Sequence, residues 1–129
     1  MHLAATLTTA GLCGLIYIVL SIRVVQVRGA LKISLGDGGH DSLLTRIRSH
    51  ANFAEYVPLL LVLLAVVELS IDSSPWLWVL GLTVVAARVS HAIGMAIGNA
   101  NPFRVAGMIG TWVPLVVLSV WALLRGLGV

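Results

Sequence analysis

Four apolar stretches, spanning residues 3–27, 43–69, 76–97 and 103–124, fill nearly all of this chain of 129 residues and are joined by short polar connections. A helix needs about 20 apolar residues to cross the hydrocarbon core of a bilayer. Lipid offers the backbone no hydrogen-bond partners, so such stretches are confined to helices or closed barrels, and runs this long and continuous read as helices. The chain is therefore expected to be an all-α integral membrane protein, a single domain of four transmembrane helices. Composition agrees, with 59% hydrophobic and 10% charged residues and a mean hydropathy of +1.04. Nothing in the length allows for a separate soluble domain. The first stretch lacks a basic leader and a small-residue cleavage site, so it is expected to be a retained helix and not a secretory signal.

The connections carry turn chemistry. Ser34–Asp41, reading SLGDGGHD, holds three glycines and two aspartates and is expected as an exposed loop. Asp72-Ser73-Ser74-Pro75 and Asn99-Ala100-Asn101-Pro102 each offer a capping side chain just before a proline suited to a first helical turn. Pro58 and Pro114 fall inside spans, where neighbouring helices tolerate them. Cys13 is the single cysteine, too few for a disulfide framework or a CxxC motif, and is expected to pack as a small apolar residue. The histidines are dispersed and no ligand spacing for a metal is present, so no metal is expected. The net charge of +3 sits at helix ends without interleaved aromatics, which argues against nucleic acid. Arg23, Arg28, Lys32, Arg46 and Arg48 flank the first connection and Arg104 the third, so by the positive-inside rule both face the cytoplasm. Trp76 and Trp78 fit an interfacial aromatic belt at the other end.

One segment breaks the apolar pattern. Arg46–Tyr56, reading RIRSHANFAEY, puts Arg48, Asn52 and Glu55 on one stripe at i, i+4 and i+7, with Tyr56 beside it. An ionisable side chain at the bilayer centre costs on the order of 3 kcal/mol even on the mildest scale, and marks a functional site by default. Arg88 in the third stretch falls at a depth similar to that of Glu55, and a buried Glu55 and Arg88 pair is expected. Arg48 and Arg104 lie shallower, giving a layered pocket whose guanidiniums suit carboxylates, with His91 one turn from Arg88. Gly94 and Gly98 form a small-xxx-small pattern for close helix contact. Arg23, Arg28 and Lys32 read as snorkelling interface residues, with Arg28 also able to reach a neighbouring subunit. Arg46 and His50 point away from the stripe, His40 and Asp41 read as solvated, and Glu68 and Asp72 read as ordinary charges at a helix end. The bland alternative for the polar set is a structural ion network.

The pattern Arg48-x3-Asn52-x2-Glu55-Tyr56 followed by Pro58, the third-helix Arg88-x2-His91, and Arg104 opening the last helix after Asn101-Pro102 together resemble the MAPEG family. These are membrane-associated proteins of eicosanoid and glutathione metabolism. The connection LGDGG and the run HANFAEYVPL are most similar to its small bacterial branch. The resemblance implies a left-handed four-helix bundle assembled as a homotrimer in the bacterial inner membrane. Glutathione would be bound between adjacent subunits near the cytoplasmic face. It implies glutathione contacts from Arg48, Asn52, Glu55 and Tyr56, and stabilisation of the thiolate by Arg104. His91 stands where the family often has tyrosine, and Met95 matches a further family tyrosine one turn on.

Glutathione also suits the residues chemically, offering carboxylates to arginines, an ammonium to Glu55, peptide groups to Asn52 and a thiol to activate. The expected function is a glutathione-dependent transferase of the detoxification type, in which an activated thiol attacks a lipophilic electrophile arriving from the bilayer. Arg104 is the expected catalytic residue, with Arg48, Asn52, Glu55, Tyr56, Arg88, His91 and Arg28 as binding residues. Peroxide reduction could start from the same thiolate. A non-catalytic membrane ligand-binding or assembly protein is the alternative. A transporter is a weaker one, since most charge lies at one end and no internal repeat is evident.

Overall fold

Each apolar stretch becomes one helix: α1 (Ala4–Leu31), α2 (Asp41–Ser70), α3 (Pro75–Ile97) and α4 (Pro102–Gly126). All four are long and apolar enough to cross a membrane. The computed structural model describes residues 3–71 and 74–129. Asp72 and Ser73, expected in the second turn, lie outside the described residues. α1 runs past the expected 27 because nothing in Arg28–Leu31 stops it. It ends where Lys32 turns left-handed at φ 55° and its N–H reaches back to α1 carbonyls.

Caps fix the other boundaries. The Ser74 hydroxyl accepts from the Trp76 N–H at 3.3 Å ahead of Pro75. Asn101 serves two helices at once: its Oδ1 accepts from the Arg104 N–H at 3.1 Å, while its Nδ2 donates to the Gly94 carbonyl at 2.8 Å. One side chain thus satisfies a leading donor of α4 and a trailing acceptor of α3, where a helix end leaves such groups without intrahelical partners. α2 and α4 continue through Pro58 and Pro114.

The helices pack as an all-α four-helix bundle in which α1 and α4 each touch both α2 and α3, and α2 touches α3 across the middle. Among the described residues α1 and α4 do not touch. The buried positions follow helical spacing: Ala5, Thr9, Cys13 and Leu20 on α1; Phe53, Val57, Leu60, Leu64 and Val67 on α2; Leu77, Gly81, Val84, Arg88 and His91 on α3; Gly107, Thr111, Pro114 and Leu118 on α4. Apolar side chains gain little from leaving lipid for a protein interior, so association rests on close backbone approach at small residues and on interhelical hydrogen bonds. The seam between α3 and α4 is built this way. A Cβ on Gly107 would stand 2.6 Å from the His91 backbone, and one on Gly94 would strike the Arg104 backbone. Gly98, expected to share that role, instead ends α3 in a left-handed conformation with open space around it.

Glu68 departs from its expected role as an ordinary terminal charge. It is 5% exposed, and its two carboxylate oxygens accept from the Ala5 N–H at 3.0 Å and the Thr6 N–H at 2.8 Å. The opening turn of α1 has no side-chain cap of its own, so a carboxylate from α2 supplies one and meets the positive end of the helix dipole. At the same end, Arg125 donates to the Ser70 carbonyl at 2.9 Å and ties α4 to the end of α2. Glu68→Ala leaves two donors without partners and is expected to lower stability by about 2 kcal/mol. Thermal unfolding of the purified protein in detergent checks this, and an unchanged midpoint would dismiss the clasp.

Candidate functional site

The centre of the polar site is Arg88, which α3 carries into the bundle at 1% exposure. Its Nη1 donates to the Thr111 hydroxyl at 3.2 Å. Its Nη2 donates to Asn52 Oδ1 at 2.8 Å and lies 3.0 Å from His91 Nδ1. One guanidinium therefore joins α2, α3 and α4. A guanidinium only donates, so His91 Nδ1 must accept, which leaves the His91 ring proton on Nε2. Thr111 passes its own proton to the Gly107 carbonyl at 2.7 Å and so keeps a lone pair for Arg88. The guanidinium carbon also lies 5.7 Å from the centre of the Phe53 ring, within the range of cation–π attraction. Arg88 Nε has no hydrogen-bond partner among the described residues.

The expected Glu55 and Arg88 pair is not formed. Glu55 Oε1 instead lies 3.8 Å from Arg48 Nη1, in side chains 52% and 58% exposed. The geometry of α2 gives the reason. At 100° per residue, Glu55 sits about 60° and Arg48 about 40° around the helix from Asn52, on the side away from the buried Phe53 and Leu60. The stripe is real, but its edge and not its middle enters the bundle. Asn52 reaches Arg88 where Glu55 cannot, and Tyr56 is half-buried beside it.

The remaining expected site residues divide by place. His91 is buried against Arg88. Arg104 is exposed at the start of α4, one turn below Gly107, with its backbone held against Gly94. Arg28 donates to the Gly36 carbonyl at 2.9 Å and braces the glycine loop, away from the Arg88 cluster. Arg48, Asn52, Glu55 and Tyr56 share a face of α2, and Asn52 connects that face to Arg88 and His91. The polar set thus grades from a sealed core outward to an exposed rim.

Several participants were not legible as such. Thr111 carries no signal beyond a hydroxyl in an apolar helix, yet it holds the guanidinium. Gly107 is the neighbour that gives Thr111 its acceptor and α3 its approach. His50, read as pointing away from the Arg48 stripe, packs against Tyr17 of α1 with ring centres 4.7 Å apart. Arg46, likewise read as pointing away from that stripe, lines a cleft together with Arg23 and Met95 between α1, α2 and α3. Cys13 packs as a buried apolar residue, as expected.

Comparison with known proteins adds two findings. Residues 6–124 match the model of the MAPEG family. The chain is 30% identical over 109 residues to the inner membrane protein YecN of Escherichia coli K12, covering 84% of this chain and 82% of that protein. The inner membrane protein YecN of Escherichia coli O6:H1 aligns with the same identity and coverage.

Proposed function

The chain belongs to the MAPEG family, and on that premise we propose that it is a membrane-bound glutathione transferase. In this reading it activates the glutathione thiol for attack on a lipophilic electrophile. The observation that carries the reading is the Arg88 guanidinium, sealed in the bundle with no carboxylate within 4 Å among the described residues. A buried cation surrounded only by neutral dipoles is costly, and an anion brought into its neighbourhood repays part of that cost. Glutathione brings carboxylates and, when ionised, a thiolate.

The exposed rim supports a shared site. Arg48 and Glu55 lie about 10 Å and 21 Å along α2 from its start, taking 1.5 Å per residue. Charges at that depth do not face hydrocarbon at low cost, so a neighbouring subunit covering them fits the homotrimer of the family. Glutathione would then lie between subunits, its carboxylates toward Arg48 and Arg88, its ammonium toward Glu55, its peptide groups toward Asn52 and Tyr56. His91 would offer its Nε2 donor, and Arg28 would reach the site of an adjacent subunit. The site opens on the arginine-rich end, which the positive-inside rule turns to the cytoplasm, in a protein of the bacterial inner membrane.

Arg104 has the task of stabilising the thiolate. A free thiol has a pKa of about 8.5, and lowering it by two units takes about 2.7 kcal/mol of preferential thiolate stabilisation. One guanidinium in a site shielded from water is able to supply that. The thiolate sulfur attacks the electrophilic carbon of the acceptor, the carbon–sulfur bond forms, and the leaving group departs with the electron pair. With a hydroperoxide as acceptor the same thiolate would attack the terminal oxygen, the O–O bond would break with the alkoxide leaving and taking up a proton, and a second glutathione would reduce the resulting sulfenic acid to the disulfide with loss of water.

Arg104→Ala is expected to slow conjugation of glutathione to a generic aryl halide about twenty-fivefold at pH 7, the fall in ionised fraction when the thiol pKa returns from about 6.5 to about 8.5. Glutathione binding, followed calorimetrically, is expected to persist. Equal conjugation rates would reject the role of Arg104. Binding without conjugation in the wild type would favour a non-catalytic ligand-binding protein.

A further inference from the structure

A second polar opening lies on the other side of α2. Arg46 stands about 160° around that helix from Arg48, at 100° per residue. With Arg23 of α1 it flanks a cleft of about 240 Å³ at the arginine-rich end. The hydroxyls of Ser42 and Thr45 line the same cleft. A small inner chamber continues it, sharing Arg23, Thr45 and Arg46 and reaching Ser49. Ser49 is 6% exposed, and its hydroxyl has no hydrogen-bond partner among the described residues. Neither arginine meets a carboxylate within 4 Å among the described residues. Asp41 stands exposed at the mouth, so the opening keeps a positive balance.

The same opening leads into hydrocarbon. A groove of about 340 Å³ between α1 and α3 is lined by Leu15, Val19, Val89 and Ile93. It shares Arg23 with the cleft, and Arg23, Leu20 and Ala92 with the inner chamber. From Leu15 to Arg23 it follows α1 for about 12 Å, directed from the charged end toward the middle of the span. Paired guanidiniums and hydroxyls suit the oxygens of a phosphate. An apolar groove joined to them suits a hydrocarbon chain attached to that phosphate.

We propose that this cleft and groove form a binding site for an anionic phospholipid, its phosphate between Arg23 and Arg46 and one acyl chain lying between α1 and α3. The site uses none of the residues assigned to glutathione, so it stands or falls independently of the transferase reading. Occupation would brace α1, whose other neighbour is only α2, against α3.

Native mass spectrometry of the full chain in detergent tests this with phosphatidylglycerol and phosphatidylcholine of matched acyl chains. Phosphatidylglycerol is expected to be retained about thirtyfold more strongly, the order given by two arginines near an anionic headgroup. The R23Q/R46Q protein is expected to lose that preference, and R46Q alone to halve it on a logarithmic scale. Ala92→Phe, which fills the groove from the apolar side and leaves both arginines in place, is expected to weaken retention of both lipids. Equal retention of the two lipids, or a preference that survives R23Q/R46Q, would overturn the proposal. So would unchanged retention in Ala92→Phe, displacement of the lipid by inorganic phosphate alone, or stronger retention of a single-chain fatty acid. Circular dichroism of each variant reports whether it has folded, and Ala92→Phe keeps the proposal falsifiable should the double variant fail.

Discussion

Arg88→Ala is expected to lower stability by about 3 kcal/mol, because three buried acceptors on three helices lose their donor at once. The cause is what the arginine leaves behind. Asn52 Oδ1, the Thr111 hydroxyl and His91 Nδ1 all take hydrogen bonds from it or stand within that distance, and without it each loses that bond. An unsatisfied buried polar group costs about 1 to 3 kcal/mol, and local relaxation recovers part of the sum. Arg88→Lys is expected to fall between wild type and alanine, because a single ammonium cannot present a planar fork to three acceptors on three helices. Asn52→Ala combined with Arg88→Ala is expected to cost little more than Arg88→Ala alone, since both remove the same contact. Thermal or SDS-induced unfolding in detergent measures all of these. An Arg88→Ala protein as stable as wild type would show that the cluster does not hold α2, α3 and α4 together.

Gly94→Val is expected to cost about 3 kcal/mol, the upper end for forcing atoms into a packed interior. A Cβ there meets the Arg104 N–H, Cα and Cβ, which are backbone and near-backbone atoms with no rotamer to escape into. The start of α4 must move, and Asn101, which bonds the Gly94 carbonyl and the Arg104 N–H together, must give up one partner. If Arg104 is the thiolate-stabilising group, a displacement of about 1 Å also lowers conjugation, by up to the loss expected for Arg104→Ala. Gly98→Ala provides the contrast, since no packed atom lies within reach of its Cβ. Its backbone at φ 77° and ψ −179° lies in a region essentially reserved for glycine, so the expected penalty is about 1 to 3 kcal/mol from the conformation alone. Equal behaviour of Gly94→Val and Gly98→Ala would dissociate helix contact from the placement of Arg104.

The four spans, their order and most of their ends were readable because each depends on local facts. Twenty apolar residues in a row, a serine or asparagine before a proline, and a glycine-rich connection act over a few residues and need no partner. Arg48, Asn52, Glu55 and Tyr56 were likewise readable as one face, since helical periodicity fixes which positions are neighbours. Depth along the axis was readable too, and it placed Glu55 and Arg88 at comparable levels.

Which edge of that face enters the bundle is a different quantity. It depends on how α2 is rotated about its own axis, and that rotation is set by where Phe53, Leu60 and Leu64 find room against α1, α3 and α4. A turn of about 60° separates Asn52 from Glu55, enough to exchange the partner of Arg88 from a carboxylate to an amide. Glu68 was misread for a related reason. Nothing near it in sequence signals that the uncapped start of α1, more than sixty residues earlier, lies within hydrogen-bond reach.

The sequence by itself determined that this protein is a membrane bundle of four helices with a polar stripe on the second, because hydrophobic length and helical period are properties of the chain. Only the tertiary structure decided that Arg88 is served by Asn52, Thr111 and His91, that Glu68 caps α1, and that Arg23 and Arg46 share a cleft. Each of those contacts joins side chains from different helices, and the rotation and approach of the helices follow from packing at small residues such as Gly94 and Gly107; a local pattern marked Gly94 for close contact, but not which helix would meet it.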